Sequence, residues 1–169
     1  MNIQTQNSDV AELVNFTELS ETDACFVLKM RNHPEIKKWM YNQEEITEAQ
    51  HSNFIEMLKT NSTKNYFLVK QSDLIIGTIN FTKIDRVKKT ADFGLYTNPY
   101  NVKSGAGRIL EKVAVCYAKN NLKLSVLNLE VFEKNERAIN FYNKNGFKLT
   151  GRRAINDQVV LCMQKLLIK

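Results

Sequence analysis

The chain has 169 residues, a length that fits one domain, and 43% apolar with 25% charged residues is the composition of a folded protein rather than a disordered one. Its 24 Lys and Arg against 18 Asp and Glu give a net charge of +6, which fits either a polyanionic partner or a merely solvated basic surface. No apolar run approaches the ~20 residues of a membrane span, and the polar N-terminus lacks the features of a secretory signal, so we expect a cytoplasmic protein with no membrane partner.

Cysteine and histidine are too sparse and scattered to predict a disulfide framework or a metal centre. Cys25, Cys116 and Cys162 lie far apart and form no CxxC pair. His33 and His51 are the only histidines, and no cluster of other ligand-type residues accompanies them. We therefore expect no metal site.

The N-terminal third reads as a tail followed by helices. Residues 1–12 are predicted to form a flexible tail, and residues 13–169 a single domain. Apolar spacing favours helices over residues 22–31 and 36–41. A third helix begins at Thr47–Gln50, whose sequence TEAQ matches a capping box.

The apolar pattern then changes to strands alternating with helices. The predicted strands cover residues 66–70, 74–82, 90–96, 126–132, 147–150 and 159–167, with helices from residue 105 to 121 and from residue 135 to 145. Short turns make the first three strands antiparallel, whereas the helical crossover before the fourth requires a parallel pair. The predicted fold class is therefore α/β (α+β), with a mixed, mainly antiparallel twisted sheet flanked by helices.

Two segments carry candidate chemistry. The first is KSGAGR at residues 103–108, where small residues precede a helix whose unpaired amides and dipole favour an anion such as pyrophosphate. It matches neither the phosphate loop nor the GxGxxG pattern, and a glycine-rich helix start needed only for packing stays an alternative. The second segment, residues 127–147, is a strand followed by a short helix that Asn135 caps, that carries Tyr142 and that ends at Gly146. For Asn135 a purely structural capping role, and for Tyr142 a place in the hydrophobic core, stay alternatives.

Together these segments resemble the GNAT superfamily of acetyl-CoA-dependent N-acetyltransferases, from about residue 66 onward. One departure is Val102, where the family usually has Gln or Arg. The resemblance implies that acetyl-CoA is the co-substrate and lies where two central strands splay apart. The cofactor-binding residues it implies are Leu95, Tyr96, Thr97, Val102, Lys103, Ser104, Gly105, Ala106, Gly107, Arg108, Asn135, Ala138 and Tyr142.

The N-terminal third is similar to one branch of that superfamily, which includes ribosomal-protein and sugar N-acetyltransferases. It contains RNHPEI at residues 31–36 and WM at 39–40, followed downstream by YFLVK at 66–70 and GLYTNP at 94–99. This resemblance implies direct acetylation of the 4-amino group of a UDP-linked 4-amino-4,6-dideoxy sugar in pseudaminic acid biosynthesis. The acceptor contacts it implies are Arg31, His51, Thr82, Lys83 and Tyr96. A structural role for His51 and an ion pair of Arg31 with an acidic neighbour stay open.

Two residues are candidates for proton transfer. Side chains alternate between the two faces of a strand, which places Glu130 on the face opposite Leu127, Leu129 and Val131. If it is half buried there, its carboxylate would have a raised pKa and could act as a base through water. A solvent-facing or ion-paired glutamate is the alternative. Tyr142 matches the GNAT tyrosine that donates a proton to the sulfur of coenzyme A, and a phenol with an ordinary pKa of about 10 is protonated at neutral pH.

Two rival functions stay open. The same branch includes ribosomal-protein N-terminal acetyltransferases, whose acceptor is a peptide. A non-catalytic RNA-binding module is a more distant alternative, but the sequence has neither an RNP1-like aromatic pattern nor a basic stripe, so no nucleic-acid partner is expected. The need to cover sheet edges is compatible with a homodimer.

Overall fold

The computed structural model describes residues 1–4 and 10–167, and its centre is one eight-stranded sheet in the order β1-β2-β3-β4-β5-β6-β8-β7. The strands are β1 (Asn2–Gln4), β2 (Val10–Asn15), β3 (Asn65–Gln71), β4 (Leu74–Asp85), β5 (Thr90–Thr97), β6 (Val126–Phe132), β7 (Lys148–Ile155) and β8 (Gln158–Leu166). The helices are α1 (Glu21–Asn32), α2 (Pro34–Lys37), α3 (Glu48–Lys59), α4 (Ala106–Asn120) and α5 (Glu136–Lys144), with a short 3-10 helix at Phe16–Glu18.

The strand pairing follows from the lengths of the connections. Within the described residues every neighbouring pair is antiparallel except β5 and β6, which are parallel because α4 carries the chain back across the sheet. The predicted mixed, mainly antiparallel sheet flanked by helices is confirmed.

The N-terminal residues differ from the prediction of a flexible tail over residues 1–12. β1 and β2 pair with each other at one end of the sheet, and Ile3 and Ala11 are buried in the main core. β1 has only three residues, and the apolar residues of β2 come in adjacent pairs, Val10 with Ala11 and Leu13 with Val14, so neither strand shows the alternation that identifies a strand. Residues 5–9 of the predicted tail lie outside the described residues, and the single domain over residues 13–169 stays a prediction.

Several element boundaries also differ. The helix predicted over residues 36–41 is instead α2, which starts at Pro34 in the first helical turn and ends at Lys37. The strand predicted over residues 147–150 extends to Ile155. By contrast, β6 has the predicted bounds, and the capping box at Thr47 and Gln50 is present at the start of α3.

Two hydrophobic clusters hold the helices on the sheet. The larger packs α4, α5 and the sheet together through residues such as Leu110, Val113 and Phe147. The smaller joins α1, α3 and β3 through Phe16, Val27, Met30, Leu58 and Leu68. Because separate clusters anchor the two groups of helices, a cleft between them can stay open.

A search of the described residues for membrane-spanning helices finds none that is both long and apolar enough.

Candidate active site

The cleft opens where β5 and β6 part. These parallel strands pair only from Thr90 with Val126 to Asp92 with Asn128, although β5 continues to Thr97 and β6 to Phe132. A cavity of about 1280 Å³ follows the divergence and is lined from both strands. The splayed central strands that the family resemblance implied are therefore present.

The glycine turn contributes Gly105 and Gly107 to the lining of this cavity. Gly105 has a φ of +79°, in the left-handed region that favours glycine, and it is the N-cap of α4 without a side-chain cap of its own. The first amides of α4 are thus not occupied by a capping side chain, and together with the helix dipole they suit an anion. A Cβ at Gly107 would lie 3.3 Å from the ring of Phe141 on α5, so this glycine keeps the two helices close.

Most of the predicted cofactor residues line the cavity. They are Leu95, Tyr96, Thr97, Val102, Gly105, Gly107, Arg108, Asn135, Ala138 and Tyr142. Lys103, Ser104 and Ala106 are not among its lining residues; Lys103 instead donates a hydrogen bond to the side chain of Gln71, and Ala106 is buried.

The α5 side of the cavity presents Asn135 and Tyr142. The Asn135 side chain accepts a hydrogen bond from the amide of Ala138 at 3.1 Å, which caps α5 as predicted. The ring of Tyr142 packs edge-on against Phe141 and Phe147. Burial raises the pKa of the Tyr142 phenol above its usual value, so the group stays protonated through the neutral range.

Glu130 lines the cavity on β6, on the face opposite Leu129 and Val131. Arg153 of β7 donates a hydrogen bond to its Oε2 at 2.7 Å, and the phenol of Tyr41 donates to the same oxygen. Burial favours the neutral form, but these two hydrogen bonds outweigh it and hold the pKa of Glu130 below its usual range. The expected raised pKa is therefore wrong, because the sequence did not reveal either donor.

Arg31 and His51 both line the cavity. Arg31 donates through Nη2 to the carbonyl of Asn42 at 2.7 Å, while its buried Nη1 has no partner among the described residues. His51 is buried, and no described residue pairs with its Nε2. Burial lowers the pKa of both side chains, so His51 is neutral at pH 7. Unpaired buried polar atoms in a cavity wall suit a ligand that supplies their partners.

The remaining predicted acceptor contacts, Thr82, Lys83 and Tyr96, line the same cavity. Lys83 has a φ of +50° beside a register shift between β4 and β5, and its Nζ lies 2.7 Å from Asp92. Burial raises the pKa of Tyr96 to about 12, so its phenol is also protonated at pH 7.

Tyr41 and Arg153, the two cavity residues that donate hydrogen bonds to Glu130, were not predicted from the sequence. Their contacts with Glu130 join positions 89 and 23 residues apart, and no local motif marks them. The described residues contain no group of three or more His, Cys, Asp or Glu side chains that could hold a metal ion.

Comparisons with known proteins agree with this arrangement. Residues 14–148 match the family model for the acetyltransferase (GNAT) domain. The chain is 40% identical over 138 residues to acetyltransferase PseH of Campylobacter jejuni, covering 82% of this chain and 85% of that protein.

Solved structures give the same result. The crystal structure of Campylobacter jejuni N-acetyltransferase PseH in complex with acetyl coenzyme A has a TM-score of 0.70 at 31% identity, covering 90% of this chain and 96% of that one. Spermidine N-acetyltransferase from Vibrio cholerae, in complex with CoA and spermine, shares the fold, with a TM-score of 0.82 at 22% identity and coverage of 93% and 95%. The chain therefore belongs to the GNAT acetyltransferases, and it is an acetyl-CoA-dependent N-acetyltransferase.

Proposed function

We propose that the enzyme acetylates the 4-amino group of UDP-4-amino-4,6-dideoxy-β-L-AltNAc in pseudaminic acid biosynthesis, by direct transfer within a ternary complex. The observation that carries the proposal is the 40% identity to PseH over most of both chains. Arg31 supports it, because a nucleotide diphosphate brings acceptor oxygens for its buried Nη1. The neutral His51 is hydrogen-bonded to the main chain of Ala24, so its unpaired Nε2 suits a hydroxyl donor of the nucleotide sugar.

Acetyl-CoA occupies the divergence between β5 and β6. Its pantetheine arm runs along the main chain of Leu95–Thr97, and its pyrophosphate lies on the turn at residues 102–108. Main-chain amides at the start of α4 supply much of the anion binding, so the turn tolerates Val102 in place of a polar side chain. Arg108, which lines the cavity, adds positive charge.

The acceptor lies on the opposite side of the thioester. Arg31 and Lys83 bind the UDP phosphates, Arg31 through its planar guanidinium and Lys83 as a point charge. His51, Thr82 and Tyr96 provide further contacts to the nucleotide sugar.

In the transfer step the amine nitrogen attacks the thioester carbonyl carbon, an N–C bond forms and the C–S bond breaks. Glu130, ionised at neutral pH, takes the proton that the ammonium group loses, through an intervening water, and the second proton that the nitrogen loses on forming the amide balances protonation of the thiolate through solvent. Tyr142 donates to the departing sulfur. Because its pKa is raised above that of a thiol, near 8.5, complete proton transfer is uphill, and a hydrogen bond to the developing thiolate is the larger contribution.

The test is thiol release from acetyl-CoA with either the UDP-amino sugar or a ribosomal-protein N-terminal peptide as acceptor. We expect turnover with the sugar; release with the peptide alone would replace this proposal with the peptide-acetylating alternative. The homodimer joined through sheet edges and the cytoplasmic location stay predictions, and sedimentation analysis tests the first.

A matched pair of variants tests the phosphate contact. Arg31→Gln should raise the KM for the UDP-amino sugar at least tenfold and leave the KM for acetyl-CoA within twofold, as loss of one charge-assisted contact of about 1.5–3 kcal/mol implies. Arg86→Gln is the control, because this substitution removes the same charge from an exposed arginine in the turn between β4 and β5. Equal KM values for the two variants would contradict this role of Arg31.

A further inference from the structure

Arg153 reaches Glu130 because of the register of β7. Arg152 lies opposite Leu161 and Arg153 opposite Val160, so these adjacent arginines point to opposite faces of the sheet. Arg152 lies near Glu133, at 3.4 Å, whereas Arg153 lines the cavity and contacts Glu130 at 2.7 Å. A register shift between Leu149 and Gly151 determines which of the two arginines faces the cleft.

The surroundings of Glu130 contain several other ionisable groups. Tyr41 donates to Oε2 from the segment after α2, and its ring packs edge-on against Phe132. Lys83 of β4 adds a more distant positive charge, and it is itself paired with Asp92 of β5. Across the sheet, Cys162 of β8 lies directly opposite Glu130. Arg153 is thus the one of these groups that brings a full positive charge into direct contact.

This contact opposes the effect of burial. The Glu130 side chain is only 23% exposed, and a carboxylate with so little water around it favours its neutral form unless a cation or hydrogen-bond donors compensate. A protonated Glu130 cannot accept a proton from the acceptor amine. Both Arg153 and Tyr41 use Oε2, which leaves Oε1 to receive a hydrogen bond or a proton from a ligand or water.

We propose that Arg153 is a positioning residue for acetyl transfer, which keeps Glu130 ionised in the cleft and fixes Oε2 so that Oε1 serves the acceptor. The proposal rests on the role of Glu130 given under the proposed function. Arg153 touches neither the thioester nor the amine in this scheme; it acts through Glu130.

The test compares Arg153→Met, Arg153→Lys and Arg152→Met in the full-length enzyme. Two quantities are measured from pH 3 to 9: kcat/KM for the UDP-amino sugar, and the carboxyl carbon resonance of Glu130 by 13C NMR, assigned with Glu130→Gln. An adjacent opposite charge lowers a carboxyl pKa by about 1–3 units, so Arg153→Met should move the Glu130 titration and the acid limb of the rate profile upward by at least about one unit.

At pH values below both titration midpoints, a shift of one unit corresponds to a loss of about tenfold in kcat/KM for Arg153→Met. Arg153→Lys should restore most of that loss, because it returns the charge. Arg152→Met should match the wild-type enzyme in both measurements, and all variants should bind coenzyme A within twofold of the wild-type affinity, as a change confined to the Glu130 carboxylate requires.

Several outcomes overturn the inference. These are a Glu130 titration unchanged in Arg153→Met, an equal shift in Arg152→Met, or a shifted titration with an unchanged rate profile. The NMR titration needs no turnover, so failure of the UDP-amino sugar as a substrate would be recognised separately. In that case the rate profile is recorded with the acceptor that is turned over, and a matched shift in both measurements supports the role of Arg153.

Discussion

Gly77 of β4 lies against the main chain of Tyr96 on β5, so closely that a Cβ at Gly77 would be 2.2 Å from the Tyr96 carbonyl oxygen. The same Cβ would lie 2.9 Å from a methyl group of Leu110 on α4. Glycine at this position therefore lets α4 and the diverging end of β5 pack together. The contact fixes the strand along which we propose that pantetheine binds.

We predict that Gly77→Ala lowers both stability and cofactor affinity. The added methyl meets main-chain atoms that cannot move without shifting β5, and overpacking of this kind costs about 2 kcal/mol. Thermal unfolding and calorimetric titration with coenzyme A measure the two effects. Gly151→Ala is the control, because nothing lies within 4 Å of a Cβ there; equal effects of both substitutions would contradict the explanation.

Tyr142→Phe keeps the ring contacts with Phe141 and Phe147 and removes only the hydroxyl. If the phenol donates a hydrogen bond to the departing sulfur, kcat should fall about 10- to 150-fold, as loss of a hydrogen bond of about 1.5–3 kcal/mol to a charged group implies. The KM for acetyl-CoA should change little. Pre-steady-state measurement of thiol release isolates the chemical step.

Tyr100→Phe is the matched control for that substitution. The Tyr100 hydroxyl donates to the main chain of Lys29 on the surface, and Tyr100 is not among the residues lining the cavity. A similar loss of kcat in both variants would remove the proposed role of the Tyr142 hydroxyl.

His51 should make stability depend on pH. Burial lowers its pKa in the folded state, so the unfolded state, with a pKa near 6.5, binds more protons. The free energy of unfolding should therefore fall as the pH decreases from about 6.5 through the lower folded pKa. His51→Gln should reduce this slope, as measured by urea denaturation from pH 5 to 7.5. An equal reduction with His33→Gln would argue against burial of His51 as the cause.

The ion pair between Lys165 of β8 and Glu111 of α4 should contribute measurably to stability. The two atoms are 2.5 Å apart, and the Glu111 side chain is almost fully buried. Lys165→Met leaves that carboxylate without its cation and should cost about 2 kcal/mol, below the value for a fully buried pair because Lys165 reaches solvent.

Lys59→Met provides the comparison for that pair. Lys59 pairs with Glu56 on the exposed face of α3 at 2.6 Å, and an exposed pair contributes about 0.5 kcal/mol or less. Chemical denaturation of both variants measures the difference. Equal destabilisation by the two substitutions would show that burial of Glu111 is not the source of the effect.

The sequence predicts elements well where local chemistry determines them. β6 has its predicted bounds because Leu127, Leu129 and Val131 alternate with polar residues, and α3 begins at the capping box. β1 was missed because a three-residue edge strand offers no periodic pattern. β7 was predicted too short because most of its side chains are exposed on both faces, so apolar alternation is missing there.

The active site divides in the same way. Gly105, Asn135 and Tyr142 belong to short motifs, and all three line the cavity as the sequence predicts, while their roles in binding and catalysis stay predictions. The contacts of Glu130 depend on pairing distant segments. A register shift of one residue in β7 would exchange the faces of Arg152 and Arg153, and no short motif predicts such a shift.

The early parting of β5 from β6 has a consequence for handling the protein. Beyond Asp92 the main chain of β5 is paired with β4 on one side only, within the described residues. An extended chain with unsatisfied amides invites added strands, including those of other molecules. Saturating coenzyme A should therefore reduce aggregation during purification, because it covers the unpaired edge of β5 before another polypeptide chain can pair with it.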